Sequence, residues 1–228
     1  MRTSLLIATS LGCVLLSPAG LRAQAKPPGT MEEMHRLHQD SKAYIALLED
    51  PARDAYQKPH EVLMALGLKD GERIADIGAG AGYFALRFAA HVGDAGVVYG
   101  VDISPDMIAH LDERVHQAGL KNVRTILAKP DDPLLPGPVD RFFICDTWHH
   151  IEDHAHYLDL MKKSLRPGGQ VVIVDYQKKP TDGGPPMEMR VAREDVVREF
   201  QQHGFRLANE HTFLPYQYFL VFTVAGGK

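Results

Sequence analysis

The sequence predicts an α/β protein, a three-layer doubly wound sheet that is mostly parallel. Three observations carry this expectation. Apolar strand-like runs alternate with amphipathic helical stretches from residue 73 to residue 203. The first run ends in an acid followed by glycines at alternate positions, Asp76-Ile77-Gly78-Ala79-Gly80-Ala81-Gly82. The last two runs follow one another through a short turn containing Pro215, which closes the sheet with an antiparallel hairpin.

Taken in order, residues 31–48 place Met31, Met34, Leu37, Tyr44, Ile45 and Leu48 among charges, the pattern of a loosely amphipathic helix that Asp50-Pro51 ends. A short helix over 59–66 stops at Gly67, and Lys69-Asp70-Gly71 turns the chain into a strand at 73–77. Helix 83–91, strand 97–103, helix 105–118 and strand 123–127 follow. Strand 140–145, helix 153–165, strand 170–176 and helix 193–203 continue the alternation, and strands 205–212 and 218–224 make the hairpin. Ser104-Pro105 supplies an N-cap and a first-turn proline for the helix at 105. The reading divides the chain into an export segment 1–25, a helical prelude or lid 26–58 and the main domain 59–228.

Composition is that of a globular protein: 228 residues, 45% hydrophobic and 24% charged, with a net charge of −4. Residues 1–25 hold two arginines and no acid, so the remainder is more acidic still, which argues against a broad nucleic-acid surface. That first segment has Arg2, an apolar stretch over 5–16 and Ala23-Gln24-Ala25 just before Lys26-Pro27-Pro28, the layout of a signal peptide cleaved after Ala25. A periplasmic or extracellular protein without stable membrane insertion is expected. An uncleaved anchor ranks second. Lipid attachment at Cys13 ranks third, since Ser10 stands where a branched aliphatic residue is usual. Cleavage leaves Cys145 as a single thiol, flanked by Phe142, Phe143 and Ile144 and read as a small buried hydrophobe.

The glycine loop is the central candidate site. Glycines let the chain turn sharply and let a ligand approach the backbone, while the helix that follows offers free N–H groups. Gly80-Ala81-Gly82-Tyr83-Phe84-Ala85 also satisfies the G-x-G-x-x-A dinucleotide pattern, which keeps an NAD(P)-dependent oxidoreductase open at this point. Asp102 ends the second strand 20 positions after Gly82, where a carboxylate can accept both hydroxyl protons of a ribose.

Together these residues resemble the class I S-adenosylmethionine-dependent methyltransferase family. The resemblance spans roughly residues 59–224 and includes the D-x-G-x-G-x-G loop, the ribose acid, the segment 140–146 and Leu165-Arg166-Pro167-Gly168-Gly169. It implies a seven-stranded Rossmann-like sheet with an antiparallel last strand, S-adenosyl-L-methionine as cofactor, and transfer of its methyl group to a small-molecule or otherwise unidentified acceptor. Carried over, Gly78, Gly80 and Gly82 would face the methionine part, Asp76 its amino group, and Asp102 with Ile103 the nucleoside. The acid that would reach adenine after strand three is displaced here by Ala128-Lys129-Pro130; Asp131 is the first choice and Asp132 the second.

The segment after strand four, Asp146-Thr147-Trp148-His149-His150-Ile151-Glu152-Asp153, would form a wall where acceptor and methyl group meet. His149 or His150 is the candidate base, and Asp146 the candidate to orient it or the cofactor. His149, His150, His154 and His156 also raise a metal site. His154 and His156 point in different directions at a helix start, however, and no zinc-ligand spacing accompanies them, so no metal is expected. Specificity is expected from residues 44–56, from the loop 178–189, and from Tyr216 and Tyr218. An exported nucleoside-binding protein without methyltransferase activity remains the other alternative.

Overall fold

A computed structural model describes residues 30–226; the segment 1–25 expected to direct export, the expected cleavage site and Cys13 lie outside the described residues. The sheet has seven strands, β1 (Arg73–Ile77), β2 (Val97–Asp102), β3 (Val123–Leu127), β4 (Val139–Cys145), β5 (Leu165–Tyr176), β6 (Phe205–His211) and β7 (Gln217–Val224). Their order is β3-β2-β1-β4-β5-β7-β6. Pairings from β3 to β5 are parallel, and β7 runs antiparallel to both β5 and β6. The expected α/β architecture and C-terminal hairpin are both present. The chain winds outward from β1 to β3, then returns beside β1 as β4, so the crevice for ligands opens at the carboxyl ends of β1 and β4.

Burial on both faces explains why the central strands read as continuous apolar runs. Successive side chains point to opposite faces: Phe143, Val172 and Val174 join one core while Phe142, Val171 and Ile173 join the other. The first core is covered by α4 (Pro59–Leu66) and α5 (Ala85–Val92), with Val115 of α6 (Pro105–Gln117) at its edge. The second is covered by α7 (His154–Ser164) and α8 (Arg193–Gln202), where Phe200 stacks on Phe222 at 3.9 Å between ring centres. Local signals agree with this packing. Ser104 caps α6 by accepting the Met107 N–H, and Gly67 ends α4 in the left-handed conformation.

The N-terminal stretch departs from the expectation. The helix expected over 31–48 is two helices, α1 (Met31–Gln39) and α2 (Ser41–Leu48), because Asp40 leaves helical geometry and its side chain caps α2 through the Ala43 N–H at 3.0 Å. A further five-residue helix, α3 (Arg53–Gln57), follows. Strand β5 also starts earlier than expected, at Leu165. Leu165 pairs with Val139 and Gln170 with Arg141, so the Pro167-Gly168-Gly169 turn is a bulge within a strand rather than a turn before it.

Candidate active site

The loop after β1 is shaped by positive φ angles at Gly78, Gly80 and Gly82. A Cβ on Gly78 would overlap Thr147, and one on Gly82 would overlap Leu111, so both positions demand glycine on space as well as on conformation. Asp76 is 3% exposed beneath this loop, and its Oδ2 has no hydrogen-bond partner. Burial raises its pKa to about 8; Arg53 and the Ala85 N–H oppose the shift, and Asp102 adds to it.

Asp102 ends β2 with both oxygens engaged. Oδ2 accepts the Gly80 N–H and Oδ1 the Ser104 N–H, each at 2.9 Å, which ties the acid to the loop and to the start of α6. Burial raises its pKa, against those backbone bonds. Ile103 beside it is exposed, as is Leu127 at the end of β3, leaving two large apolar side chains uncovered beside the carboxyl edge of the sheet. Asp131 is exposed, whereas Asp132 turns inward to accept the Leu134 N–H at 2.8 Å. Of the two, only Asp131 keeps its carboxylate free of a hydrogen bond.

At the end of β4, Asp146 takes a positive φ of 52°, an uncommon conformation for a residue with a side chain and one that the surrounding contacts must hold. Its carboxylate is clamped by Gln57 (3.3 Å) and Gln217 (2.7 Å). Burial and then the neighbouring Asp175 raise its pKa to about 6, while Arg53, Gln217 and His149 hold it down. The carboxylate that meets His149 is not Asp146 but Asp175 of β5, 2.9 and 3.0 Å from Nδ1. Burial by itself lowers the His149 pKa, yet the charge and hydrogen bond of Asp175 carry it above the ordinary value. His150 sits at the rim with its pKa pushed down to about 4, first by desolvation of its ring and then by His149 and His38, with Asp175 opposing.

The other members of this segment are engaged in packing. Trp148 is fully buried and stacks on His154 at 4.3 Å, and His154 binds Glu199 and the Trp148 carbonyl. The N–H of His156 donates to Asp153, which caps α7. Among the described residues, no group of three His, Cys, Asp or Glu side chains is arranged to hold a metal ion. Cys145 is buried with its thiol pKa raised, first by burial and then by Asp146.

Helices α1–α3 lie over the carboxyl ends of the strands. Ser41 binds Asp106, Glu49 binds His110 (2.9 Å) and Arg114 (3.2 Å), and Asp54 binds Tyr83 and Arg87. Leu48 packs over Gly80, and Arg53 stacks 4.2 Å above the Tyr83 ring. Tyr44 is raised to about 12 by burial and then by Asp102, with Asp146 adding to the shift, so this helix pair reaches both acids. The loop 178–189 folds around the Arg190 guanidinium, which donates to the carbonyls of Gln177, Lys179, Gly183 and Pro185. Tyr216 binds Asp182 of that loop, and its ring lies 6.1 Å from Tyr56. A cleft of about 470 Å³ lined by Lys69, Glu72, Arg141 and Arg166 lies at the opposite, amino ends of the strands, away from these groups.

Comparison with known proteins decides what this arrangement belongs to. The profile of a family described as a methyltransferase domain matches residues 68–207, more than half of the chain. The chain belongs to the class I S-adenosylmethionine-dependent methyltransferase family. A crystal structure of an S-adenosylmethionine-dependent methyltransferase from Aquifex aeolicus superposes with a TM-score of 0.76 at 28% identity, covering 82% of this chain and 99% of that one. A ubiquinone/menaquinone biosynthesis C-methyltransferase of Teredinibacter turnerae is 33% identical over 49% of this chain and 46% of its own length. The 27-O-demethylrifamycin SV methyltransferase of Amycolatopsis mediterranei is 30% identical over 57% of this chain and 47% of its own. The chain thus spans about half the length of these curated relatives.

Several residues of the candidate site are not singled out by the sequence. Asp175 carried a usable signal, an acid inside the apolar run Val171-Val172-Ile173-Val174-Asp175-Tyr176. Arg53, Gln57 and Gln217 carried none, because they converge on Asp146 from separate ends of the chain. Arg190 looks like any other charge before a surface helix, and only the curled loop reveals its role.

Proposed function

We propose that the protein is a methyltransferase that uses S-adenosyl-L-methionine and acts on a small molecule outside the cytoplasm. One observation carries the cofactor reading. Asp76 lies beneath the glycine loop with one buried oxygen unpartnered, a position that a hydrogen-bonding cation would satisfy. An ammonium fits that place and would draw Asp76 into its ionised form, whereas the pyrophosphate of a dinucleotide would keep it protonated. Three further carboxylates, Asp102, Asp146 and Asp175, make the surroundings suitable for a cationic cofactor.

In this reading Gly78, Gly80 and Gly82 leave room for the methionine moiety, Asp76 holds its amino group, and Asp102 accepts the ribose hydroxyls through lone pairs left free by the backbone bonds. Ile103 supplies an apolar surface for the base, and Asp131 its polar contact. When bound, the cofactor supplies an electrophilic methyl group on a sulfonium. The chain aligns the acceptor and keeps water away, the two contributions that matter most in such a displacement. Tyr44, Leu48 and Arg53 of the N-terminal helices provide the cover. His149 and His150 are the candidate bases on the wall after β4, and Asp146 fixes the backbone turn that presents them.

Location is proposed on residues 1–25 alone, read as a signal peptide cleaved after Ala25, and is periplasmic or extracellular. Calorimetric titration of the protein with S-adenosylhomocysteine, S-adenosylmethionine and NAD tests the cofactor reading. Micromolar binding of both adenosyl ligands without NAD binding is expected, and NAD binding alone would replace it with the oxidoreductase reading.

A further inference from the structure

His149 and Asp175 meet in a way that holding a cofactor does not require. Asp175 is fully buried near the end of β5, where it accepts the Tyr176 N–H at 2.7 Å and stands 2.9 Å from His149 Nδ1. An ionised carboxylate has no proton to give, so Nδ1 is the donor and the lone pair of the imidazole lies on Nε2, across the ring. The His149 side chain is 2% exposed and its ring rests against His150 at 4.2 Å, so the ring is fixed in that sense. The charged and titratable groups facing it are Asp175 from β5, Asp146 from the end of β4, His150 from its own turn, His38 from α1 and Arg190 from the segment before α8. The two acids favour an imidazolium. Arg190 opposes that charge, while His38 and His150 are shifted toward their neutral forms and add little to the opposition.

We infer that His149 is the base of this site, that Asp175 is its positioning residue, and that the acceptor loses a proton as it is methylated. The acceptor then carries a proton it can lose, as O–H, N–H, S–H or an acidic C–H does, which excludes a tertiary amine and a thioether. The inference rests on the methyltransferase reading above. In the step, the acceptor atom gives an electron pair to the methyl carbon while its bond to hydrogen breaks, the proton passing to His149 Nε2 and the bonding pair remaining on the acceptor atom. The S–CH3 bonding pair stays on sulfur, which leaves a neutral thioether and an imidazolium paired with Asp175. A base so placed contributes about 10²–10⁴-fold in rate.

The test is a long-range 1H–15N spectrum of the full chain labelled at histidine, recorded from pH 5 to 9 with S-adenosylhomocysteine and again with S-adenosylmethionine. His149 is expected as the Nδ1–H tautomer. Its titration midpoint should lie about one pH unit lower with the sulfonium ligand than with the neutral thioether, because the sulfonium is proposed to lie near Nε2, where a positive charge would disfavour the imidazolium. Asp175→Asn should lower the midpoint and erase the tautomer preference. Should that variant not fold, the difference between the two ligands in the unaltered protein decides alone. An Nε2–H tautomer, or equal midpoints with both ligands, would overturn this inference while leaving the methyltransferase reading intact. Failure of S-adenosylhomocysteine to bind would overturn both.

Discussion

Asp76 sets the pH behaviour of the cofactor site. With its pKa near 8 in the free protein it is mostly protonated at pH 7, and an ammonium placed beside it favours the ionised form. Binding of S-adenosylmethionine at pH 7 should therefore release roughly one proton per site. Titration in two buffers of different ionisation enthalpy reads this directly, and identical heats in both would remove Asp76 from the amino group. The sign for stability is the reverse of a salt-bridged acid. A raised carboxyl pKa favours the folded state at low pH, and that contribution is lost as pH climbs from about 4 through about 8. Asp76→Asn should accordingly flatten the fall in melting temperature over that range. Asp102→Ala should weaken S-adenosylhomocysteine binding on the order of tenfold to a hundredfold, the range of about 1.5–3 kcal/mol for a hydrogen bond to a charged group. Unchanged affinity would free Asp102 from the ribose.

At the scale of elements, the glycine loop and its cover are coupled to the scaffold. Gly82→Ala places a Cβ against Leu111 at a φ of 79°, and melting should fall by an amount equivalent to about 1–3 kcal/mol. Asp54→Ala removes the contacts to Tyr83 and Arg87 that hold α3 down, so amide exchange over residues 41–57 should quicken while β1 and β4 stay protected. Exchange unchanged in that stretch would mean that packing rather than these polar contacts closes the cover.

The same scale shows what the sequence makes legible. The central strands were readable because both faces are buried and each run is apolar throughout, and α6 because Ser104 and Pro105 mark its start. The break at Asp40 was not, since helical periodicity continues across it and only the capping bond to Ala43 reveals the stop. Helix α3 is too short to show a period. The early start of β5 depends on a bulge whose pairing partner, Val139, lies 26 residues upstream of Leu165. The candidate site divides likewise. The candidate groups Asp76 to Gly82 on one loop and Asp102 at the end of β2 are legible from spacing, while the His149–Asp175 pair and the Gln57–Asp146–Gln217 clamp join segments far apart in the chain.

At the scale of the whole molecule, the net charge is −4 and helices N-terminal to the matched domain add to the family core. Among the described residues no helix is long and apolar enough to cross a membrane. The export proposal predicts that the protein recovered from its source carries Lys26 as its first residue. Mass measurement of the intact N-terminus checks this, and a chain that begins at Met1 or bears lipid at Cys13 would replace it.

The most direct measurement of the central claim is the crystal structure of the protein grown with S-adenosylhomocysteine. The account predicts the ribose hydroxyls on the Asp102 carboxylate, the amino group beside Asp76 and the thioether sulfur facing the wall that carries His149. Clear density for the ligand elsewhere, with the Gly78–Gly82 loop left bare, would contradict it.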